Sequence, residues 1–338
     1  MSLRALLLLF LGLPAMAQDC ASVTVGFRVM SIQGRVVAVW YPSAGRAAEY
    51  DYGASFSGNV ALNGPVSLAC GQRAPLVVFS HGDLGCGVQS IAFTEELARH
   101  GYVVAAPDHA DAFLCHTVPP SPPRVPAKQP SVFKPETWHD TTFLDRRRDI
   151  EAVIDGLLSD AAFRDVIDAR NIGAAGHSLG GYTMVGLAGG WPSWLDPRIR
   201  AVLAMSPYVM PFQVRKTLAG IRVPLMYQGG TLDVGITPFL IGPNGAYREA
   251  VSPAYFVELK AAAHLAWTNC GQERTTASCL EKDANFRLID AYGIAFFDRY
   301  LRNLPQPILA KKDPGLADYQ FRLVVSQLGG ASRPTAYR

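Results

Sequence analysis

The chain has 338 residues, of which 49% are hydrophobic and 17% are charged. That apolar fraction excludes a disordered chain, and the length is enough to bury a sizeable core. The 31 Lys and Arg residues against 28 Asp and Glu residues give a net charge of +3. With no basic run longer than the triplet at 146–148, this balance argues against a nucleic-acid-binding protein.

The N-terminal segment has the three parts of an export signal. Arg4 gives a basic start, an apolar run covers Ala5–Leu13, and Ala15-Met16-Ala17 forms a small-residue cleavage site. The run is too short to span a bilayer, and no later segment is a candidate transmembrane helix. We therefore expect a signal peptide at 1–17 and a secreted or periplasmic mature chain at 18–338. A buried N-terminal helix is the alternative.

The predicted mature chain contains six cysteines, and an even number in an exported protein indicates disulfides. The preferred pair, Cys270–Cys279, closes a short polar loop. Cys86–Cys115 is the second, because each of its cysteines follows a predicted strand and the two strands should be neighbours. Cys20–Cys70 then follows by elimination. The cysteine and histidine spacing matches no zinc site, so we do not expect one.

Short apolar or β-branched runs recur along the chain, with helical periodicity between them. Continuous apolar runs are typical of strands that are buried on both faces of a sheet. The alternation predicts an α/β fold with a mostly parallel central sheet and helices on both faces. Strands are predicted at 36–40, 76–79, 102–106, 172–175, 201–205, 223–227 and 255–259, and helices at 88–99, 144–158 and 287–301.

A proline-rich stretch interrupts this alternation. Pro119–Pro135 contains seven prolines, which exclude a helix or an inner strand. We predict a surface loop over 117–137 within a single domain. Loops of this length are uncommon and are often functional, although a stiff and inert loop is the alternative.

The motif that indicates chemistry lies at 172–181, which reads Ile-Gly-Ala-Ala-Gly-His-Ser-Leu-Gly-Gly. It contains G-x-S-x-G centred on Ser178. A predicted strand precedes it and a helix-compatible run, Tyr182–Leu187, follows, as a nucleophile elbow requires. The pattern predicts that Ser178 is a nucleophile, and a glycine-rich turn that only packs is the alternative.

The order of residues along the chain identifies two partners for Ser178. In folds with this elbow the acid and then the histidine follow the serine, and His264 alone among the histidines does so. Of the four acids between them, Asp233 follows the predicted strand at 223–227, at the edge where catalytic groups gather. We predict Asp233 as the acid, with Glu249 second and a turn-capping role for Asp233 as the alternative.

These residues predict a specific mechanism. His264 takes the proton of Ser178, and Asp233 holds the imidazole and stabilises its charged form. The oxyanion that forms needs two preset N–H donors. We expect them to be the backbone N–H of Leu179 and that of Asp83, which lies in the glycine-rich turn at 80–87.

Three tryptophans lie near these predicted catalytic residues along the chain. Trp191 and Trp194 follow the elbow helix, and Trp267 follows His264. Acyl pockets are lined mostly by apolar and aromatic side chains, so these three are candidate substrate-binding residues. Packing in the core is the alternative for each.

Together these residues resemble the α/β-hydrolase superfamily. Phe79-Ser80-His81-Gly82, Val104–His109 and the elbow at 176–181 are similar to secreted platelet-activating-factor acetylhydrolase and to dienelactone-hydrolase-like esterases. The resemblance covers about 74–267 and implies hydrolysis of a small-molecule or lipid-like ester through an acyl-serine, without metal or cofactor. Ser178 stands where dienelactone hydrolases have cysteine, which argues for a different substrate. The short segment between the strands at 201–205 and 223–227 leaves no room for a large lid.

Other functions compatible with these residues remain open. A phospholipase-type acetylhydrolase, an acyltransferase or a peptidase would use the same three residues. A non-catalytic binding module with this fold usually lacks one of the three, and here all are present. Neither the acyl chain length nor the oligomeric state follows from the sequence.

Overall fold

The computed structural model describes residues 23–53, 56–68, 72–118, 126–251, 253–269 and 273–323. The predicted signal peptide and three of the cysteines, Cys20, Cys70 and Cys270, lie outside these ranges. The pairings Cys270–Cys279 and Cys20–Cys70 therefore stay predictions.

The described residues form one mixed sheet of eleven strands, with the order β11-β10-β9-β8-β7-β5-β6-β2-β1-β4-β3. The six strands from β6 to β10 in that order pair in parallel, and antiparallel strands flank them on both sides. This confirms the predicted mostly parallel central sheet. The strands are β1 (Thr24–Ile32), β2 (Arg35–Ser43), β3 (Ala48–Asp51), β4 (Ser57–Leu62), β5 (Ala74–Ser80), β6 (Val103–Pro107), β7 (Ile167–His177), β8 (Ile199–Met205), β9 (Leu225–Gly230), β10 (Ala254–Leu259) and β11 (Leu316–Arg322).

Helices connect these strands and cover the sheet. They are α1 (Ile91–Arg99), α2 (Leu144–Ser159), α3 (Leu179–Val185), α4 (Met210–Arg215), α5 (Thr237–Ile241), α6 (Ala246–Glu249), α7 (Thr276–Lys282) and α8 (Ala284–Leu301). The helices predicted at 88–99, 144–158 and 287–301 correspond to α1, α2 and α8. Within the described ranges, no helix is both long and apolar enough to cross a membrane.

The sheet separates two apolar cores. Along β5, Leu76 and Val78 point into the core under α2 and α3, whereas Val77 and Phe79 point into the core under α1 and α8. All four side chains are fully buried, and burial of each such side chain contributes about 1.5–3 kcal/mol. Burial on both faces explains why the inner strands are continuous apolar runs rather than alternating ones.

The strands that the sequence analysis did not predict are β1, β3, β4 and β11, at the outer parts of the sheet. Strand β11 is only partly buried, so its sequence lacks a continuous apolar run. Strands β1 and β2 form a hairpin whose two-residue turn is Gln33-Gly34, with positive φ angles of 48° and 75°. Such a turn favours glycine, so a turn signal was present in the sequence.

The described part of the proline-rich loop contains no strand or α-helix, only a short 3₁₀ turn at Pro135–Thr137. Residues 119–125 of that loop lie outside the described ranges. Just beyond it, Trp138 is fully buried and packs on Tyr182 and Tyr208. The loop is thereby anchored against the helix that follows the predicted nucleophile.

Candidate active site

Ser178 occupies the sharp turn between β7 and α3. Its φ of 54° and ψ of −116° are unusual for a residue with a side chain and store backbone strain. Backbone hydrogen bonds hold the turn, because Ser178 N–H donates to Met205 and Ser178 C=O accepts from Tyr208 N–H. A Cβ at Gly180 would lie 1.9 Å from the carbonyl oxygen of Ser80, so only glycine allows this approach of α3 to β5.

The structure brings Ser178, His264 and Asp233 together at the carboxyl edge of the sheet. His264 Nε2 lies 2.9 Å from Ser178 Oγ, and His264 Nδ1 lies 3.2 Å from Asp233 Oδ2. Asp233 is buried, whereas the His264 side chain is 37% exposed. One ring nitrogen therefore faces the hydroxyl and the other faces the carboxylate, which is the arrangement that proton transfer from serine requires. Glu249, the second candidate acid, ends α6 beside Lys216 instead.

Ser206 is a fourth member of this cluster that the sequence analysis missed. It is fully buried directly after β8, its Oγ donates to Asp233 Oδ2, and the same Oγ lies 2.8 Å from His264 Nδ1. Since its only hydrogen goes to the carboxylate, the hydroxyl oxygen is left to accept from His264 Nδ1–H. The imidazole is thus held by two acceptors. In the sequence, the signal for Ser206 was its position directly after β8, the strand that lies between β7 and β9.

A chain of hydrogen bonds connects the turn after β5 with the loop that carries His264. Gly82 N–H donates to Gln89 Oε1, Gln89 Nε2 lies 3.1 Å from His177 Nδ1, and His177 Nε2 lies 2.7 Å from the carbonyl oxygen of His264. Burial, reinforced by His264, lowers the pKa of His177 to about 3, so the ring is neutral at ordinary pH. The carbonyl can only accept, so the proton of His177 resides on Nε2 and Nδ1 accepts from Gln89.

The turn after β5 lies directly against the elbow. A Cβ at Gly82 would lie 3.0 Å from His177 Nδ1 and 3.5 Å from Ser178 Cβ, so the turn is in contact with the elbow. Gly82 N–H is already bonded to Gln89, which leaves Asp83 N–H as the next backbone donor of the turn. On the other side, Leu179 begins α3, and the first N–H groups of a helix have no partner within the helix.

The Asp83 side chain points toward a second carboxyl group. Partial burial, together with the charge of Asp111, raises the pKa of Asp83. For Asp111, burial alone would raise the pKa, but the adjacent Arg146 guanidinium outweighs it and lowers the pKa of that carboxyl. The Asp83 carboxyl therefore lies beside the Asp111–Arg146 ion pair, where contact with Asp111 favours its protonated form.

The three tryptophans predicted to bind substrate are all buried. Trp194 and Trp267 have no exposed surface and Trp191 is 4% exposed. Their indole N–H groups donate within the protein, to Tyr182 Oη for Trp191, to the Asp140 carbonyl for Trp194 and to Gln228 Oε1 for Trp267. This burial fits the alternative of core packing, and none of these described contacts supports a pocket-lining role.

Exposed apolar side chains instead flank the candidate catalytic residues. Leu265 follows His264 and is 68% exposed, and Leu232 and Val234 on either side of Asp233 are 59% and 77% exposed. Leu84 in the turn after β5 is also exposed. Leu84 follows Asp83, so these side chains adjoin the predicted oxyanion donor as well as the acid and the base.

A disulfide fastens the turn after β5. Cys86 and Cys115 are bonded, with Cα atoms 5.5 Å apart, which confirms this predicted pair. Beside it, the N–H groups of Phe113 and Leu114 both donate to the carbonyl of Leu84. Among the described residues, no group of three or more His, Cys, Asp or Glu side chains is arranged to hold a metal ion.

Comparison with known proteins agrees with this fold. The family described as platelet-activating factor acetylhydrolase, isoform II, matches residues 44–130, a range that includes the turn after β5 and ends before Ser178. Cutinase 2 of Thermobifida cellulosilytica is 27% identical over 163 residues, which are 47% of this chain and 52% of that protein. Cutinase cut1 of Thermobifida fusca is 27% identical over 163 residues, 47% of this chain and 43% of that protein.

The chain has the α/β-hydrolase fold. The resemblance to the acetylhydrolases and the order of the parallel strands both agree with this assignment. The chain spans about half the length of the cutinases that it matches.

Proposed function

We propose that this α/β-hydrolase is an exported carboxylic ester hydrolase that acts through an acyl-serine intermediate on Ser178. The observation that carries the proposal is the 2.9 Å approach of His264 Nε2 to Ser178 Oγ, with Asp233 behind the ring. The likeness to the acetylhydrolase family and to cutinases supports an ester as substrate.

The reaction has two halves. Ser178 Oγ attacks the ester carbonyl while His264 Nε2 takes its proton, and His264 then gives that proton to the departing alcohol as the C–O bond breaks. Water next attacks the acyl-serine, loses a proton to His264 and releases the carboxylic acid, and the proton returns to Ser178. Asp233 stabilises the imidazolium in both halves, and the N–H groups of Leu179 and Asp83 bind the oxyanion.

The exposed apolar side chains beside these residues support an apolar or lipid-like ester. Leu84, Leu232, Val234 and Leu265 each neighbour a residue to which we assign a catalytic role. Apolar surface gathered around a site favours substrates that carry apolar groups. A phospholipase-type acetylhydrolase is the second candidate, favoured by the family match over residues 44–130.

Two observations support export. The Cys86–Cys115 disulfide is of the kind that persists in oxidising compartments, and residues 1–17 have the pattern of a signal peptide. Two other functions make different use of the candidate catalytic residues. Acyl transfer to an alcohol would use Ser178, His264 and Asp233 in the same way, whereas a binding module would use none of them.

The test is hydrolysis of p-nitrophenyl esters from acetate to palmitate by wild type and by Ser178→Ala. Ser159→Ala is the matched control, because that hydroxyl caps carbonyls at the exposed end of α2. We expect turnover by wild type and Ser159→Ala and its loss in Ser178→Ala, with the chain-length profile giving the acyl preference. Folded wild-type protein without turnover on any ester would refute the proposal. Formation of transfer product alone, when an alcohol is added, would refute hydrolysis.

A further inference from the structure

Arg146 is a fully buried arginine that reaches the turn after β5 from α2. Its Nη1 donates to the carbonyl oxygen of His81 at 2.7 Å and lies 3.3 Å from Ser80 Oγ. Its Nη2 donates to the carbonyl oxygen of Gly82 at 2.9 Å and to Asp111 Oδ2 at 2.6 Å. One guanidinium group thus holds two successive backbone carbonyls and is itself held by a carboxylate.

The Gly82 carbonyl also accepts from His81 Nδ1–H at 2.7 Å and from Gly85 N–H at 3.2 Å. Together with the Arg146 contacts, these bonds fix the direction of one particular N–H group. The peptide unit is planar and trans, so its C=O and its N–H point in opposite directions. Because the Gly82 carbonyl points at Arg146, the N–H of Asp83, which belongs to the same peptide unit, points away from Arg146. The same holds for the peptide unit between His81 and Gly82. Its carbonyl, that of His81, accepts from Arg146, and its N–H, that of Gly82, points the other way and donates to Gln89.

The groups around the Arg146 guanidinium are two buried histidine rings and the carboxylate of Asp111. The neighbouring rings of His81 and His109 are fully buried, and burial together with the charge of Arg146 lowers the pKa of both, so both are neutral. Asp111 forms an ion pair with Arg146, and Asp149 contacts His109 and Arg35. A lysine ammonium is a single point charge and cannot reproduce the planar fork that holds both carbonyls and the carboxylate together.

We propose that Arg146 is a positioning residue for the oxyanion hole, which directs Asp83 N–H toward the substrate by clamping the carbonyls of His81 and Gly82. This inference rests on the proposed function, because it assigns a structural cause to one of the two donors. A purely structural ion pair with Asp111 would affect the stability of the protein but not its preference for the transition state.

The experiment compares Arg146→Lys with Arg147→Lys, its neighbour on α2, whose partly exposed guanidinium pairs with Glu151. Wild type, both variants and Ser178→Ala are assayed for kcat, KM, thermal midpoint and inhibition by a trifluoromethyl ketone that mimics the tetrahedral intermediate. For Arg146→Lys we expect kcat to fall about 10- to 100-fold with little change in KM. Affinity for the ketone should fall by a similar factor. Arg147→Lys should match wild type.

Several outcomes would overturn the proposal. One is a folded Arg146→Lys variant with wild-type kcat, and another is an equal loss in Arg147→Lys. A loss of turnover that appears wholly in KM, with ketone affinity unchanged, is a third. If wild type itself lacks Ser178-dependent turnover, the proposed function fails and this inference fails with it. If only the Arg146 effect is missing, the proposed function stands.

Should Arg146→Lys not fold, the double variant Arg146→Met/Asp111→Leu replaces it. Exchange of a buried ion pair for apolar residues is often neutral or stabilising. The exchange removes one positive and one negative charge together, so the net charge beside Asp83 is unchanged. A fall in kcat and in ketone affinity supports the clamp, whereas wild-type values for both would overturn it.

Discussion

Ser206 Oγ lies between Asp233 Oδ2 and His264 Nδ1, at 2.8 Å from the imidazole nitrogen. The imidazole of His264 is thus oriented by a hydroxyl as well as by a carboxylate, which lies slightly farther away at 3.2 Å. The buried hydroxyl also supplies a hydrogen bond to the carboxylate, which is otherwise removed from water.

Ser206→Ala is expected to lower kcat about 3- to 10-fold with KM unchanged, because one hydrogen bond that orients the base is lost. Ser193→Ala, which removes an exposed hydroxyl bonded to Asp140, is the control and should have no effect. Steady-state kinetics on the preferred p-nitrophenyl ester measure both. Equal kcat values for wild type and Ser206→Ala would show that the carboxylate alone orients His264.

Gln89→Ala is expected to lower kcat about 10-fold, because it breaks the chain that joins Gly82, His177 and the loop of His264. The pKa of His177 is about 3, so its ring stays neutral as pH rises from 5 to 9 and the chain is intact throughout. The ratio of wild-type to variant activity should therefore stay constant over that range. A ratio that changes near neutral pH would contradict the neutral tautomer assigned to His177. Gln320→Ala, on β11, is the control.

Asp290→Asn is expected to stabilise the protein at alkaline pH. Asp290 is buried on α8, neither carboxyl oxygen has a hydrogen-bond partner, and burial raises its pKa well above the ordinary value. Above about pH 4 the unfolded chain releases this proton while the folded protein retains it, so the free energy of unfolding falls as pH rises. Asparagine removes this loss.

The expected gain from Asp290→Asn is about 1–3 kcal/mol at pH 8, and it should shrink toward pH 4. Thermal or urea unfolding at the two pH values measures it. Asp298→Asn is the control, because that carboxylate accepts from Tyr102 and Arg302 and its loss should destabilise the fold. A gain that is the same at both pH values, or no gain, would contradict the account of Asp290.

Removal of the Cys86–Cys115 disulfide by the double Cys→Ala change is expected to lower the free energy of unfolding by about 2–5 kcal/mol. The same change frees the turn that carries Asp83, so kcat should fall as well. Urea unfolding and ester kinetics measure the two effects. Alkylation without reduction, followed by mass spectrometry, is the check on the bond itself, and modification of either thiol in wild type would contradict it.

Much of the fold was predictable because burial on both faces leaves continuous apolar runs at β5, β6 and β8. Chain order and the carboxyl edge of the sheet then selected Ser178, Asp233 and His264, which the structure brings together. Local sequence and topology were sufficient for these features.

The supporting residues were not predictable by the same reasoning. Ser206 contacts His264 across 58 positions of sequence, Gln89 contacts His177 across 88, and Arg146 contacts the His81 carbonyl across 65. Ser206 has only its place directly after a predicted strand as a signal, and a glutamine and an arginine outside any motif carry none. The three tryptophans were predicted to bind substrate because they lie near the site in sequence, but aromatic side chains at such positions are equally suited to the core, where these three are buried.

Covalent trapping of the nucleophile tests whether Ser178, activated by His264, attacks the substrate. Wild type, Ser178→Ala and His264→Ala are incubated with a fluorophosphonate and digested, and the modified peptide is identified by mass spectrometry. We expect one adduct on Ser178 in wild type, none in Ser178→Ala, and labelling slowed more than about 1000-fold in folded His264→Ala. An adduct on another residue, or undiminished labelling in His264→Ala, would contradict this expectation.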